Sequence, residues 1–154
     1  MTKTYEMCIW GKMTRNSNNL TDDKLVILDQ IGKLINIKTE EEFHQFHDWV
    51  EIIFSSKGLV GLDNVDVYAA LKNKKIELNV ISGKDLEEIK ENISLNHELS
   101  CCILGIELPL DLGLDEIHTI GENVTAKLNE NAQVIWQAIN KDVDKITVYV
   151  MRGE

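Results

Sequence analysis

The chain has 154 residues, the size of one ordinary domain, and 44% of them are hydrophobic, which is enough to form a core. Its formal net charge of -10 argues against a surface that neutralises nucleic-acid phosphates and against electrostatic docking on an anionic membrane. No apolar run approaches the roughly 18 residues that a spanning helix needs, and the start of the chain lacks the apolar core of a signal peptide. We therefore expect a cytoplasmic protein with no membrane span and no nucleic-acid partner.

The three cysteines, Cys8, Cys101 and Cys102, predict neither a disulfide framework nor a metal site. An odd number with one adjacent pair does not give the spacing that either of these uses. Cys101 and Cys102 lie in an apolar run, where cysteine behaves as a small hydrophobic residue. We expect both of them to be buried packing residues.

The first part of the chain is predicted to contain a strand and one long helix. The polar segment 14–19 indicates a loop, and the continuous apolar run 25–28 is typical of a buried strand. Thr39 followed by Glu42 has the form of a capping box, so a helix is expected to begin there, and Gly58 is its expected stop. The apolar stripe of this helix is formed by Phe43, Phe46, Val50, Ile53 and Phe54.

From Gly58 onward the pattern predicts alternating helices and strands that form a sheet covered by helices. The strand at 101–108 is expected to be central because both of its faces are apolar. The last two strands are joined by a short turn-rich segment, so we predict that they form an antiparallel pair. The fold class is therefore α/β, with a mixed sheet of about four to six strands. The predicted order is helix 67–72, strand 76–81, helix 85–93, strand 101–108, helix 114–128, strand 134–136 and strand 146–151.

Three segments of this part resemble the FtsZ/tubulin family. Residues 131–150 are similar to the family's strand A-x-V-I-x-G, its short acidic loop and its following strand with V-T-V. Residues 103–117 are similar to V-L-x-N-I, a short loop and D-L-x-L-x-E-V, and residues 57–67 resemble P-G-L-I-N-x-D-F-A-D-V. The resemblance runs from residue 58 to residue 153. It implies the C-terminal domain of that fold and a place in the cell-division cytoskeleton.

The resemblance gives the segment 57–67 an implied role. In FtsZ this loop carries acidic residues that enter the nucleotide site of the next subunit and help position the water that attacks GTP. Asp63 and Asp66 match the two acidic positions, whereas Gly61 replaces the family's asparagine and Asn64 its phenylalanine, two departures that argue against catalysis. We take Gly61, Asp63 and Asp66 as a candidate interaction site. The alternative is that both aspartates are helix-start residues, where Asp is favoured as a cap.

The family's glycine-rich phosphate loop has no counterpart in the sequence. Such a loop uses closely spaced glycines so that backbone N–H groups can approach the phosphates, and no two of the nine glycines here are adjacent. We therefore predict that the chain does not bind GTP by itself, is not an enzyme and uses no cofactor. Residues 1–57 are interpreted as N-terminal strands with the long helix, a remnant of the GTPase domain. Residues 58–154 are interpreted as the FtsZ C-terminal-like domain.

His44 and His47 are the best candidates for metal ligands in the sequence. They lie three residues apart on the predicted helix and so share a face, with Asp48 and Glu51 nearby. His-x-x-His alone supplies only two ligands, however. We interpret these histidines as solvated surface residues and predict no metal site.

Two functions of different classes fit these observations. The first is a non-catalytic interaction module that binds a protein partner, either an FtsZ-like filament or a second copy of itself, and caps or modulates assembly. The second is a small oligomeric α/β enzyme or ligand-binding protein with a site at a subunit interface. A pocket lined by convergent polar groups would favour the second, because a fold does not fix a function.

Overall fold

The computed structural model describes residues 35, 37, 39–53, 64–72, 74–95 and 99–154. The predicted order of helices and strands is confirmed from residue 64 onward. The predicted loop at 14–19, the predicted strand at 25–28 and Cys8 lie outside the described residues. The elements, in chain order, are α1 (Glu40–Ile53), α2 (Asn64–Leu71), β1 (Ile76–Gly83), α3 (Leu86–Asn92), β2 (Cys101–Pro109), α4 (Leu114–Lys127), β3 (Gln133–Lys141) and β4 (Ile146–Gly153).

Local hydrogen bonds fix where the helices begin. The Thr39 hydroxyl oxygen accepts from the Glu42 amide at 3.1 Å, which confirms the predicted cap of α1. The Asp85 carboxylate accepts from the Glu88 amide at 3.0 Å and so caps α3 in the same way. None of the helices in the described part of the chain has the length and the apolar composition that crossing a membrane requires.

The described strands form one mixed sheet in the order β1-β4-β2-β3. β4 runs antiparallel to both of its neighbours, whereas β2 and β3 run parallel to each other. The crossover from β2 to β3 contains α4, as a parallel connection requires. The mixed α/β sheet and the central position of the strand at 101–108 are therefore confirmed.

The predicted antiparallel pairing of the last two strands is wrong. β3 and β4 run in opposite directions, but β2 lies between them. The reason is burial: β4 is apolar on both faces and gains most by having a strand on each side, whereas β3 begins and ends with exposed polar residues and lies at the edge. The short loop at 142–145 crosses two strand spacings, about 10 Å, which four residues can span.

One face of the sheet is covered by α1 and α2. Trp49 lies at the centre of this core, and its indole N–H donates to the Ile103 carbonyl of β2 at 3.3 Å. Gly105 leaves the room for this contact, since a Cβ there would lie 3.3 Å from the Trp49 ring. The buried residues of this core include Phe43, Phe46, Val50, Ile52 and Ile53 of α1, Val67, Ala70 and Leu71 of α2, and Ile103, Tyr149 and Met151 of the sheet.

The other face of the sheet is covered by α3 and α4. The Lys127 ammonium of α4 donates to the Lys90 carbonyl at 3.2 Å and to the Ile93 carbonyl at 2.7 Å. These carbonyls belong to the C-terminal end of α3, where a cation is favoured, so Lys127 ties the two helices together. The core between helices and sheet includes Ile89 of α3, Ile117, Ile120 and Val124 of α4, and Leu104, Ile106, Leu108, Ala138, Val148 and Val150 of the strands.

Candidate functional site

The loop predicted as an interaction site lies mostly outside the described residues. Gly61 and Asp63 are among the residues that the structure does not describe, so their role stays a prediction. Asp66 belongs to α2 by its backbone and falls in the first turn of that helix. This position is compatible with both earlier readings, an acidic residue offered to a partner and a helix-start residue. The predicted domain boundary at 57/58 also falls in this undescribed stretch.

The helix that follows this loop is anchored to the sheet. Val67, Ala70 and Leu71 of α2 are buried in the α1-face core. Beyond the helix, the Lys74 ammonium donates to the Ala70 carbonyl at 2.7 Å and satisfies a terminal carbonyl. The C-terminal end of α2 therefore has a defined position against the sheet.

Two exposed leucines stand out at the connection between β2 and α4. Leu110 is 66% exposed and Leu114 is 62% exposed, and they are the large hydrophobic residues that the structure describes as exposed. A single exposed leucine is common on a protein surface, whereas this connection carries two within five residues. We call residues 110–114 the leucine loop.

The leucine loop is held by several hydrogen bonds. The Asn140 side-chain amide donates to the Pro109 carbonyl at 2.9 Å and to the Leu112 carbonyl at 2.8 Å. The Leu112 amide donates to the Pro109 carbonyl at 3.2 Å, which closes a tight turn. The Gly113 amide donates to the Glu116 carboxylate at 2.9 Å, and this bond lowers the pKa of Glu116. These hydrogen bonds hold the backbone that carries the two leucines in one conformation.

The surroundings of the leucine loop are acidic. Asp111 and Asp115 are exposed beside the two leucines. β3 ends next to the loop, because Pro109 pairs with Lys141, and the exposed Asp142 follows. The Lys141 ammonium at the end of β3 lies 3.5 Å from the Glu107 carboxylate, so this basic group already has an acidic partner. The loop therefore presents apolar side chains within a negative rim, which suits a partner surface that is apolar with a basic border.

Replacing Asn140 by alanine should loosen the leucine loop. The change removes two hydrogen bonds from an exposed side chain, and we expect a loss of about 1 kcal/mol in the free energy of unfolding. Hydrogen exchange of the Leu112 and Gly113 amides should become faster, while exchange in β4 should not change. Urea unfolding and hydrogen exchange measure the two effects. Glu130→Ala, an exposed change on another turn, is the control. Equal hydrogen exchange in both variants would contradict the proposed role of the Asn140 hydrogen bonds.

The two histidines of α1 have different neighbours. His44 lies 3.6 Å from Glu40, and both side chains are well exposed. His47 lies 3.6 Å from Glu51, and the ligand atoms of His47, Asp48 and Glu51 all lie within 4.8 Å of one another. His44 and His47 thus do not converge in these contacts. The neighbouring carboxylates, which the sequence analysis noted only as nearby, converge on His47 alone.

The buried positions predicted for two cysteines are confirmed. Cys101 and Cys102 are fully buried in β2, one on each face of the sheet. Burial raises the pKa of the Cys101 thiol to about 11 and that of the Cys102 thiol to about 12. Both thiols are therefore protonated near neutral pH and behave as packing residues.

A polar cavity of about 320 Å³ lies between β1 and α3, outside the leucine loop. Asn92, Ser94 and Arg152 contribute polar groups to its wall. The Arg152 guanidinium is already engaged by Glu77 at 2.9 Å and by the Ser94 carbonyl at 3.3 Å. The side-chain oxygen of Asn79, which also lines the cavity, is buried without a hydrogen-bond partner.

Comparison with known proteins finds the fold but no sequence relatives. No protein-family model matches the chain, and no curated protein sequence matches it significantly. Among solved structures, an FtsZ dimer from M. jannaschii, described as empty, aligns with a TM-score of 0.65 and 18% identity, over 93% of this chain and 43% of that chain. A tryptophan-to-tyrosine mutant of the same FtsZ aligns with a TM-score of 0.62 and 16% identity, over 93% of this chain and 44% of that chain.

This chain therefore spans less than half the length of the FtsZ chains that it matches. At this identity the likeness shows the fold. It does cover nearly all of this chain, and it agrees with the mixed sheet between two layers of helices. The chain thus has an FtsZ/tubulin-like fold.

Proposed function

We propose that the chain is a non-catalytic interaction module that binds an FtsZ-like filament through the leucine loop and modulates its assembly. The observation that supports it best is the apolar pair Leu110 and Leu114, held exposed by the Asn140 and Glu116 hydrogen bonds. Exposing two leucines on a fixed loop is unfavourable unless something covers them. Association with a copy of itself is the other partner that the same surface would serve.

In this proposal the acidic loop is a second contact. Gly61, Asp63 and Asp66 match the family's acidic loop in sequence, and the helix behind it is anchored to the sheet. The chain carries no glycine-rich phosphate loop, so it would occupy a filament end without offering a nucleotide site to the next subunit. Growth at that end would stop. The proposed effect is therefore capping, with no GTP hydrolysis by the chain itself and with action in the cytoplasm.

Polymerisation of the host's FtsZ-like protein tests this proposal. We expect the chain to lower both the sedimented polymer and the rate of GTP hydrolysis at substoichiometric ratios, and to be recovered in the pellet. Leu110→Ser/Leu114→Ser should abolish these effects. A similar result with Asp63→Ala/Asp66→Ala would assign the acidic loop to the same contact. Glu91→Ser, an exposed change on α3, is the control and should act like the unaltered chain.

Two results would contradict the proposal. The first is no change in polymer, in hydrolysis or in sedimentation of the chain at equimolar ratio. The second is full activity of the folded leucine double variant. If the chain instead forms a dimer by itself and the leucine variant is monomeric, self-association is the function of this surface.

The alternative of an oligomeric enzyme or ligand-binding protein stays a hypothesis. The cavity between β1 and α3 is the feature that favours it, because the unpartnered Asn79 oxygen could accept from a small polar ligand. A chain that leaves the filament unaffected and whose β1 amides shift with a small polar metabolite would support this alternative.

A further inference from the structure

The imidazole of His47 and two carboxylates converge on one turn of α1. Glu51 lies four residues after His47 and three residues after Asp48, so its carboxylate can meet both side chains on the helix surface. One ligand atom from each lies within 4.8 Å of the other two. Metal–ligand bonds to nitrogen and oxygen are about 2.0–2.2 Å, so one ion can reach all three with small rotamer changes.

Two similar His–Glu pairs on the same chain lack this arrangement. His44 lies beside Glu40 at 3.6 Å, and His118 lies beside Glu122 at 2.9 Å, again four residues apart. Their side chains are 65% and 75% exposed, whereas that of His47 is only 23% exposed. Neither pair has a third ligand within reach in the part of the chain that the structure describes. The His47 group therefore differs both in ligand number and in how firmly its imidazole is held.

Two aromatic residues, Phe43 and Tyr149, lie beside the ligands His47 and Asp48. The centroid of the buried Phe43 ring lies 6.4 Å from that of His47 and 5.7 Å from that of His44, so this ring is a neighbour of both histidines. The Tyr149 hydroxyl, from the buried side of β4, donates to the Asp48 carboxylate at 3.5 Å. Such outer contacts orient ligands and lower the entropy that they lose on binding an ion. The site would thus be partly preorganised by the sheet below α1.

The Asp48 carboxylate has no ion pair with a lysine or arginine among the described residues. The nearest ammonium, Lys141, lies 3.5 Å from Glu107 and is not committed to Asp48. Two carboxyl groups lie beside one imidazole here, on a chain of net charge -10. A divalent cation would balance this local charge.

We propose that His47, Asp48 and Glu51 form a binding site for a divalent transition-metal ion, with Zn²⁺ as the ion that fits best. One imidazole nitrogen and two carboxylate oxygens are ligands that Zn²⁺ accepts readily, whereas Mg²⁺ and Ca²⁺ prefer oxygen alone. All three protein ligands come from α1, so the remaining position faces solvent and holds water. This site is separate from the leucine loop and does not depend on filament binding.

Titration calorimetry of the untagged full chain with Zn²⁺ tests the site. Cys8 lies outside the described residues and is a competing thiol ligand, so Cys8→Ser is the background for every variant. We expect saturable binding of one ion, with weaker binding of Mg²⁺. His47→Ala and Glu51→Gln should each raise the Kd at least about tenfold. His44→Ala, which breaks the otherwise similar pair with Glu40, should leave the Kd unchanged.

Circular dichroism separates loss of ligands from loss of fold, since alanine and glutamine both favour helix and should leave α1 intact. Absence of saturable Zn²⁺ binding would overturn the site. An equal rise in the Kd for Zn²⁺ in His47→Ala and His44→Ala would also overturn it, because the ion would then be held by diffuse surface charge. Nuclear magnetic resonance adds an independent readout: the His47 ring signals should shift with Zn²⁺ while those of His118 stay in place.

Discussion

Replacing Trp49 by alanine should lower the free energy of unfolding by roughly 3–5 kcal/mol, the usual loss for a buried tryptophan. Trp49 is fully buried between α1 and β2, and its ring stacks on Phe46 at a centroid distance of 6.0 Å. The change leaves a cavity and also deprives the buried Ile103 carbonyl of the indole N–H. Urea unfolding followed by circular dichroism measures the loss.

Trp49→Phe separates the two contributions. Phenylalanine keeps most of the ring volume but cannot donate to Ile103, so we expect a loss smaller than that of alanine, about 1–3 kcal/mol. An alanine variant that loses less than about 1 kcal/mol would mean that α1 does not pack on the sheet as described. Trp136 and Trp10 remain in both variants, so fluorescence would not isolate this position, and circular dichroism is the better probe.

Replacing Gly105 by valine should destabilise the same core by overpacking it, at a cost of about 1–3 kcal/mol. A Cβ at Gly105 would lie 3.3 Å from the Trp49 ring and 3.4 Å from the Ile52 methyl group. The added methyl groups of valine would then press against α1, although valine itself favours strands. Strand propensity alone would raise the free energy of unfolding in this variant, whereas overpacking should lower it. The measurement therefore separates the two effects.

Gly121→Ala is the matched control for this prediction. Gly121 lies inside α4, and nothing lies within 4 Å of a Cβ added there. Alanine should stabilise the helix by roughly 0.5–1 kcal/mol. A Gly105→Val variant as stable as the unaltered chain would show that α1 can move away from β2 at little cost, and it would contradict the close contact.

Much of the fold could be predicted because local sequence and burial agree. The Thr39 cap, the helical spacing of Phe43 and Phe46 and the continuous apolar run of β2 each specify one local structure, and all three are found. The pairing of the last two strands could not be predicted from loop length. A loop of four residues can join neighbouring strands or cross over one, and only the burial of β4 against β1 and β2 decides between them.

The candidate site was less predictable than the fold. The motif resemblance directed attention to Gly61, Asp63 and Asp66, whereas exposure of Leu110 and Leu114 depends on how the β2–α4 connection turns. The sequence did hold one signal for this turn. Pro109 followed by Gly113 indicates an irregular connection, in which leucines have no strand or helix face to bury. The Asn140 side chain that donates to the Pro109 carbonyl is 31 residues away in sequence, so no local pattern predicts this contact.

The proposed metal site illustrates the opposite case. His44 and His47 share a face by spacing, which makes them the best metal candidates in the sequence, and from the sequence alone we interpret both as solvated surface residues. The structure gives each its own glutamate, and Asp48, whose carboxylate accepts from the Tyr149 hydroxyl of β4, lies beside His47. Helical spacing predicts which side chains can meet, whereas packing beneath the helix decides which are held together.

The central position of β4 sets the order in which this sheet can form on the ribosome. Among the described strands, β1 pairs with β4 alone, although 62 residues separate the end of one from the start of the other. The parallel pair β2–β3 and the helix between them can assemble first, whereas β1 waits with its pairing edge open until residues 146–153 have emerged. Distant pairing of this kind slows folding and exposes an edge that other chains can capture. A nascent chain stalled before residue 146 would therefore be the form most in need of a chaperone.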